Sequence, residues 1–173
     1  MVKGKQFERV IKAAFGKVKG VSVDRLHDQM SGFKGSTNIS DLLVFKKPNL
    51  YYIECKTVQG NTFSIHSNDP KRKYGNITNN QWEGLLEKSN INGIVAGVII
   101  WWIDKDVTLF IDIRLLEHIR RFREAKSVIC GDFDEQFGYT STEYWYELKG
   151  KKKRVFFDYD MKDFLNKMKA RYK

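Results

Sequence analysis

The sequence predicts an α/β domain, a mixed β-sheet flanked by α-helices, on three observations. Stretches with helical apolar spacing alternate along the chain with short β-prone runs. Ile94 to Trp102 is apolar throughout, the pattern of a strand covered on both faces. Leu42 to Lys56 reads as two β-prone runs around a turn, so the sheet also contains a hairpin. At 173 residues the chain is the size of one domain with a sizeable core. No repeat, low-complexity tract or linker divides it, so a single domain over 1–173 is expected.

Phe7, Val10, Ile11, Ala14 and Phe15 share one face of a first helix, Lys5 to Phe15. Glu8 lies at the edge of that stripe, near the helix N-terminus, where a negative charge is favourable. A basic turn, Gly16 to Gly20, precedes a short strand through Val21 and Val23. Arg25 follows, either as a phosphate anchor or as a partner for Asp24 or Asp28. Asp28 to Ser40 is polar and glycine-containing, a contact loop. Next comes the hairpin, with Lys46 to Asn49 as its turn. Thr62 to Ile65 is a further extended piece. Ser67 to Asn76 is a loop carrying Lys71, Arg72 and Lys73 beside Tyr74. Its composition suits a phosphate backbone or an ordinary solvated loop. Thr78-Asn79-Asn80-Gln81 has the form of a capping box and opens a helix through Trp82, Leu85 and Leu86.

After the apolar strand, Val107 to Ile111 is another strand. Ile113 to Ala125 is a helix with Leu115, Leu116, Ile119 and Phe122 on one face. Glu143 to Leu148 and Val155 to Tyr159 flank the run Lys149-Gly150-Lys151-Lys152-Lys153-Arg154, which predicts a hairpin with a basic tip. Asp160 to Tyr172 is the terminal helix, and from Lys149 onward ten Lys or Arg face three Asp.

Hydrophobic residues at 42% and aromatics at 14% exclude a disordered tail. The net charge of +10 favours a polyanionic partner, with nucleic acid the default. Cys55 and Cys130 do not form a disulfide framework, and no Cys/His zinc spacing occurs. Met1 to Lys12 has no signal-peptide character, and the longest apolar run is too short for a bilayer. A cytoplasmic protein without membrane contact is expected.

Chemistry concentrates in D-L-L-V-F-K-K-P-N-L-Y-Y-I-E-C-K, Asp41 to Lys56. Strand alternation puts Tyr52, Glu54 and Lys56 on one face, with Ile53 and Cys55 on the other. Asp41, at the mouth of the preceding strand, can close towards them. Two carboxylates and an ammonium suit a magnesium or manganese ion, a positioned water and a phosphodiester. An isolated Glu-x-Lys is more often a cross-face ion pair. The upstream Asp, the hairpin and the basic chain favour the chemical reading.

Gly4-Lys5-x-x-Glu8 opening a helix, Arg25 after a short strand, Asp41, Glu54-Cys55-Lys56 and Gln81 opening the next helix form a longer pattern. It resembles the RecU-type Holliday junction resolvases (penicillin-binding protein-related factor A), in a compact phage-like form, and the D-(x)n-E-x-K signature of the PD-(D/E)XK nuclease superfamily. The similarity runs from about Gly4 to Ile113. It implies a restriction-endonuclease-like fold, with a catalytic core at about 4–113 and a basic C-terminal hairpin and helix at about 140–173. It implies magnesium dependence, with manganese able to substitute, a homodimer and symmetric cutting of four-way DNA junctions. It places Glu8, Asp41, Glu54 and Cys55 at the metal, overturning the solvated reading of Glu8. It makes Glu8, Asp41, Glu54, Lys56 and Gln81 the catalytic set, although a capping role explains Gln81 equally well. The chain departs from the family in having only Asp24 to Ser40 where RecU proteins carry a long stalk.

Branched double-stranded DNA is the expected partner, contacted by Arg25, Lys71, Arg72, Lys73, Lys151, Lys152, Lys153 and Arg154. A related nuclease on linear duplex and a non-catalytic DNA-binding module are the alternatives. The homodimer expectation draws on aromatics at Phe133, Phe137, Tyr139, Tyr144, Trp145 and Tyr146. It also draws on Trp101 and Trp102, adjacent on a strand, one of which could lie outside the core.

Overall fold

The computed structural model describes residues 3–26, 38–65, 76–133 and 144–169. Its helices are α1 (Lys3–Gly16), α2 (Asn79–Ser89), α3 (Ile113–Phe122) and α4 (Met161–Lys167). Its strands are β1 (Ser22–Arg25), β2 (Leu42–Lys46), β3 (Asn49–Val58), β4 (Thr62–Ser64), β5 (Ile94–Trp102) and β6 (Val107–Asp112), then β7 (Ser127–Ile129), β8 (Trp145–Glu147), β9 (Gly150–Lys152) and β10 (Phe157–Tyr159). Six strands form the main sheet in the order β1-β2-β3-β5-β6-β8. Only β3 and β5 run parallel; the other neighbours are antiparallel. A parallel pair needs a crossover, and the segment containing β4 and α2 supplies it. The expected α/β architecture, a mixed sheet flanked by helices, is therefore present.

β5 explains why the sheet has a core on each side. Val95, Ile99 and Trp101 join Phe7, Ile11 and Phe15 of α1 and Phe164 of α4 in one cluster. The alternate residues Ala96, Val98, Ile100 and Trp102 join Trp82 and Leu85 of α2 and Leu116 and Ile119 of α3 in the other. The continuous apolar run thus resolves into a period of two with both faces covered. At Gly97 a Cβ would lie 2.7 Å from the Phe110 ring, so glycine lets that ring pack against the strand.

Several expectations are corrected. Trp101 and Trp102 do face opposite ways, but both are buried, so neither is available as monomer surface. Phe133 and Tyr146 are buried too, and Tyr144 and Trp145 are half-buried. Phe137 and Tyr139 lie outside the described residues. β8 does not pair with the strand after the basic run; it joins the sheet edge at β6. The hairpin is instead β9 with β10, so Lys151 and Lys152 are strand residues while Lys153 and Arg154 sit in the turn. Gly150 permits this pairing, because a Cβ there would meet the Asp158 carbonyl oxygen at 2.8 Å. α3 stops at Phe122, and β7, reading Ser-Val-Ile, pairs with β4 in a separate small sheet. α4 ends at Lys167, short of the expected terminal helix.

Candidate active site

The site forms at the start of β2, beside the part of β3 that runs past it. The β2–β3 register pairs Leu42 with Ile53, and one further rung sets Asp41 opposite Glu54. Opposed residues of an antiparallel pair project to the same face. Asp41 is anchored on three sides by hydrogen bonds. Its main-chain N–H donates to the Ile53 carbonyl at 3.1 Å, and its carbonyl accepts from Leu26 N–H at 2.8 Å. Its Oδ2 accepts from Cys55 N–H at 2.8 Å, standing in for the ladder bond that β2 no longer supplies. Upstream, Ile39 packs so closely on α2 that a Cβ at Gly84 would lie 2.3 Å from its Cγ2. The glycine fixes the approach of the Asp41 segment to α2.

Glu54 is buried, and its two oxygens differ sharply. Oε1 takes the Lys56 ammonium at 2.7 Å and the Gln81 amide N–H at 2.7 Å. Oε2 is buried without a hydrogen-bond partner. Among the described residues the Trp101 indole nitrogen is the other buried side-chain polar atom in that condition. Such groups are uncommon in folded proteins because desolvation is costly. Burial, opposed by Lys56 and reinforced by Asp41, pushes the Glu54 carboxyl up to about 8. Burial likewise raises Asp41, against the bond from Cys55 N–H. Two desolvated carboxyls side by side favour either protons or a cation between them.

Gln81 reconciles its two readings. Its Oε1 accepts from Thr78 N–H at 3.1 Å and its own N–H donates to Thr78 Oγ1 at 3.3 Å, which closes the capping box. Its Nε2 is thereby turned to Glu54. An amide has both an acceptor and donors, so one side chain caps α2 and clamps the carboxylate.

Glu8 is half-buried on α1 and its charge is felt by both Asp41 and Glu54. Its Oε2 is engaged by Arg25, from Nε at 3.0 Å and Nη2 at 2.6 Å. Among the described residues Arg25 therefore partners Glu8 rather than Asp24, and joins β1 to α1 beside the site; Asp28 lies outside the described residues. Cys55 belongs to the site through its main chain only. Its thiol is buried on the opposite face, among the residues packed on α1 and α4, and burial holds it well above the usual thiol range. Its carbonyl points to the same edge as its N–H, past the end of β2.

Among the described residues no three His, Cys, Asp or Glu side chains form a group that could hold a metal. The oxygens assembled here are instead two carboxylates, Asp41 and Glu54, and the Cys55 carbonyl. A hard divalent cation takes that oxygen set, and the orphaned Oε2 of Glu54 is the atom it would satisfy. The donors therefore fit magnesium or manganese. Lys71, Arg72 and Lys73 lie outside the described residues. Lys152 is paired with Asp106 and Lys153 with Asp158, while Lys151 and Arg154 are exposed.

One buried acid of the same face escaped the sequence reading. Glu117 of α3 accepts from Trp82 Nε1 at 2.8 Å, from Arg120 Nε at 2.9 Å and Nη2 at 2.7 Å, and from Arg121. Burial alone would raise its carboxyl, but these donors outweigh it and pull it down to about 2. The i+3 and i+4 arginines were a visible signal.

No family model matches the chain, and no curated protein does. Among solved structures the chain is similar to Archaeoglobus fulgidus Hjc, described as a Holliday junction resolvase from an archaeal hyperthermophile. The identity is 17%, over 74% of this chain and 89% of that chain, with a TM-score of 0.49. No helix of the described residues is long and apolar enough to cross a membrane.

Proposed function

We propose that the chain is a magnesium-dependent endonuclease of the PD-(D/E)XK type that hydrolyses phosphodiesters in branched DNA, four-way junctions above all, as RecU-type resolvases do. The observation that carries this reading is Glu54, a buried carboxylate with one oxygen clamped by Lys56 and Gln81 and the other left without a partner opposite Asp41. A carboxylate serving only the fold would have both oxygens satisfied, as Glu117 has.

Asp41, Glu54 and the Cys55 carbonyl would hold Mg2+, with Mn2+ able to substitute. When bound, the ion offsets charge on the phosphate and acidifies water. Lys56, on the same face, orients the attacking water and adds a second positive charge near the phosphate. The water oxygen bonds to phosphorus and gives up a proton to solvent, while the P–O bond to the leaving sugar oxygen breaks and that oxygen takes up a proton to leave as a hydroxyl. Gln81 keeps Glu54 in one rotamer. Glu8 becomes available to the site once Arg25 turns to a DNA phosphate. The reading includes a cytoplasmic homodimer, since two strands related by a two-fold axis must both be cut.

The test is cleavage of a four-way junction against its linear arms with Mg2+, using wild type, Asp41→Asn and Glu54→Gln. Junction cutting by wild type alone supports the proposal. Equal cutting of the arms makes the protein a duplex nuclease instead. No cutting with any divalent ion would leave a DNA-binding module.

A further inference from the structure

The positive charge on the two sides of the sheet is held differently. On the side of α2 and α3, Arg114 is committed to Asp112, and Arg120 and Arg121 to Glu117. On the side of α1 and α4 two grooves flank the last turn of α1 and share Ala14 and Lys17 as a common wall. One, of about 350 Å³, lies between α1 and α4 and is rimmed by Lys17, Lys19, Lys46 and Lys162. The other, of about 520 Å³, lies between α1 and the β9–β10 hairpin and is rimmed by Lys17, Lys153 and Arg154. Six cations thus face two carboxylates, Asp158 and Asp160. Asp158 is shared between Lys17 and Lys153, and Asp160 is spent accepting the N–H groups of Lys162 and Asp163 as the cap of α4. Lys19, Lys162 and Arg154 are exposed and make no ion pair among the described residues.

This surface is on the far side of the sheet from the Glu54 side chain. α1 and α4 cover the face to which Tyr51, Ile53 and Cys55 point, and Glu54 and Lys56 point the other way. A rigid duplex seated on Glu54 cannot also lie along the α1–α4 side, because the bend over one domain is far tighter than DNA's persistence length of about 150 bp allows cheaply. Two arms of a branch can occupy both. We infer that the double groove flanking the end of α1 is a second DNA surface, which takes the phosphate backbone of a different arm from the one being cut. The inference rests on the nuclease reading for its substrate but concerns binding, not cleavage. It makes preference for branched over linear DNA a consequence of charge on the non-catalytic face.

The test is binding in EDTA, where nothing is cut, of a four-way junction and of one linear arm, across a series of salt concentrations. The variant is Lys19→Glu with Arg154→Glu and Lys162→Glu, its fold checked by thermal melting. Lys19→Ala with Lys162→Ala serves as the milder version. The expected result is a loss of at least about tenfold in junction affinity with less than about threefold in arm affinity. The junction salt slope should fall by about 0.9 log unit for each phosphate no longer neutralised, the arm slope staying unchanged. Equal loss on both substrates, no loss on either, or a wild type that does not prefer the junction would each overturn the inference. A protein that binds as expected but never cuts with Mg2+ sinks the nuclease reading alone.

Discussion

Glu54 and Glu117 are buried carboxylates on the same side of one sheet, and they have opposite electrostatics. Glu117 receives an indole and two guanidinium groups across both oxygens, and its carboxyl is drawn to about 2. Glu54 receives an ammonium and an amide on one oxygen and nothing on the other, and its carboxyl rises to about 8. Desolvation acts on both, so donor count decides the sign. A fully satisfied buried acid is a fastener; here it ties α3 to Trp82 of α2. A half-satisfied one destabilises the fold that carries it, and a cation held between it and Asp41 would offset that cost.

The two acids should differ most in their effect on cleavage rate. Glu54→Gln keeps shape and both Oε1-type contacts but removes the charge. Cleavage of a junction with Mg2+ should fall by about 10²- to 10³-fold, with affinity for the same DNA in EDTA nearly unchanged. Glu117→Gln should cut at close to wild-type rate at a temperature where it is folded. If the two variants lose activity alike, the division between fastener and functional acid is wrong.

In stability the order reverses. Glu117→Gln takes the charge from the carboxylate that Arg120, Arg121 and the Trp82 indole engage and should cost about 2 kcal/mol in chemical denaturation. Glu54→Gln should be neutral or stabilising in EDTA at pH 8, because it removes a carboxylate that the site cannot satisfy without a cation. Loss of stability on Glu54→Gln under those conditions would mean that the fold itself satisfies both oxygens of Glu54.

How much of this contrast was legible in the sequence depends on the range of the contacts. The hairpin, the Asp41–Glu54–Lys56 grouping and the Thr78–Gln81 box are local patterns, and each is present. The alternation in β5 was likewise readable as burial on both faces. The edge pairing of β8 with β6 was not, because nothing local distinguishes it from a hairpin across the basic run. β4 and β7 have three residues each, too few to show a period. The Arg25–Glu8 bond spans 17 positions and the Trp82–Glu117 bond 35, and both depend on helix placement. The orphaned oxygen of Glu54 is a three-dimensional fact that no spacing rule reports.

The pH dependence of the metal-free protein sharpens the contrast next. Glu54 is raised from 4.5 to about 8, so the folded state holds a proton that the unfolded state has released between those values. Its contribution is fully present below pH 4.5 and is lost as pH rises towards 8, at up to about 1.4 kcal/mol per unit. Asp41, also raised, acts with the same sign. Glu117 is lowered from 4.5 to about 2, so its contribution is present above pH 4.5 and lost as pH falls towards 2. Denaturation series in EDTA should show the alkaline loss in wild type and a clear reduction of it in Glu54→Gln. Mg2+ at pH 8 should restore wild-type stability and leave Glu54→Gln unmoved.

The smallest effect separates the two duties of Gln81. Thr78→Ala removes the hydroxyl that accepts Gln81 N–H and should cost about 1 kcal/mol of stability, as the loss of a helix cap does. It leaves the Gln81 amide able to reach Glu54, so the cleavage rate at saturating Mg2+ should stay within about twofold. Gln81→Ala loses the cap's reciprocal bond and the clamp together. Its stability cost should be similar, but Glu54 is then held by Lys56 alone and its rotamer is less defined. A contact of this kind contributes about 1.4 kcal/mol when the acceptor is charged, or about tenfold in rate. Half-saturation by Mg2+ should rise along with that loss, because the clamp orients the acid proposed as a ligand of the ion. Measuring rate against Mg2+ concentration for both variants at one temperature decides between the duties. Matching curves would reduce Gln81 to a helix cap and leave Lys56 as the sole side chain orienting Glu54.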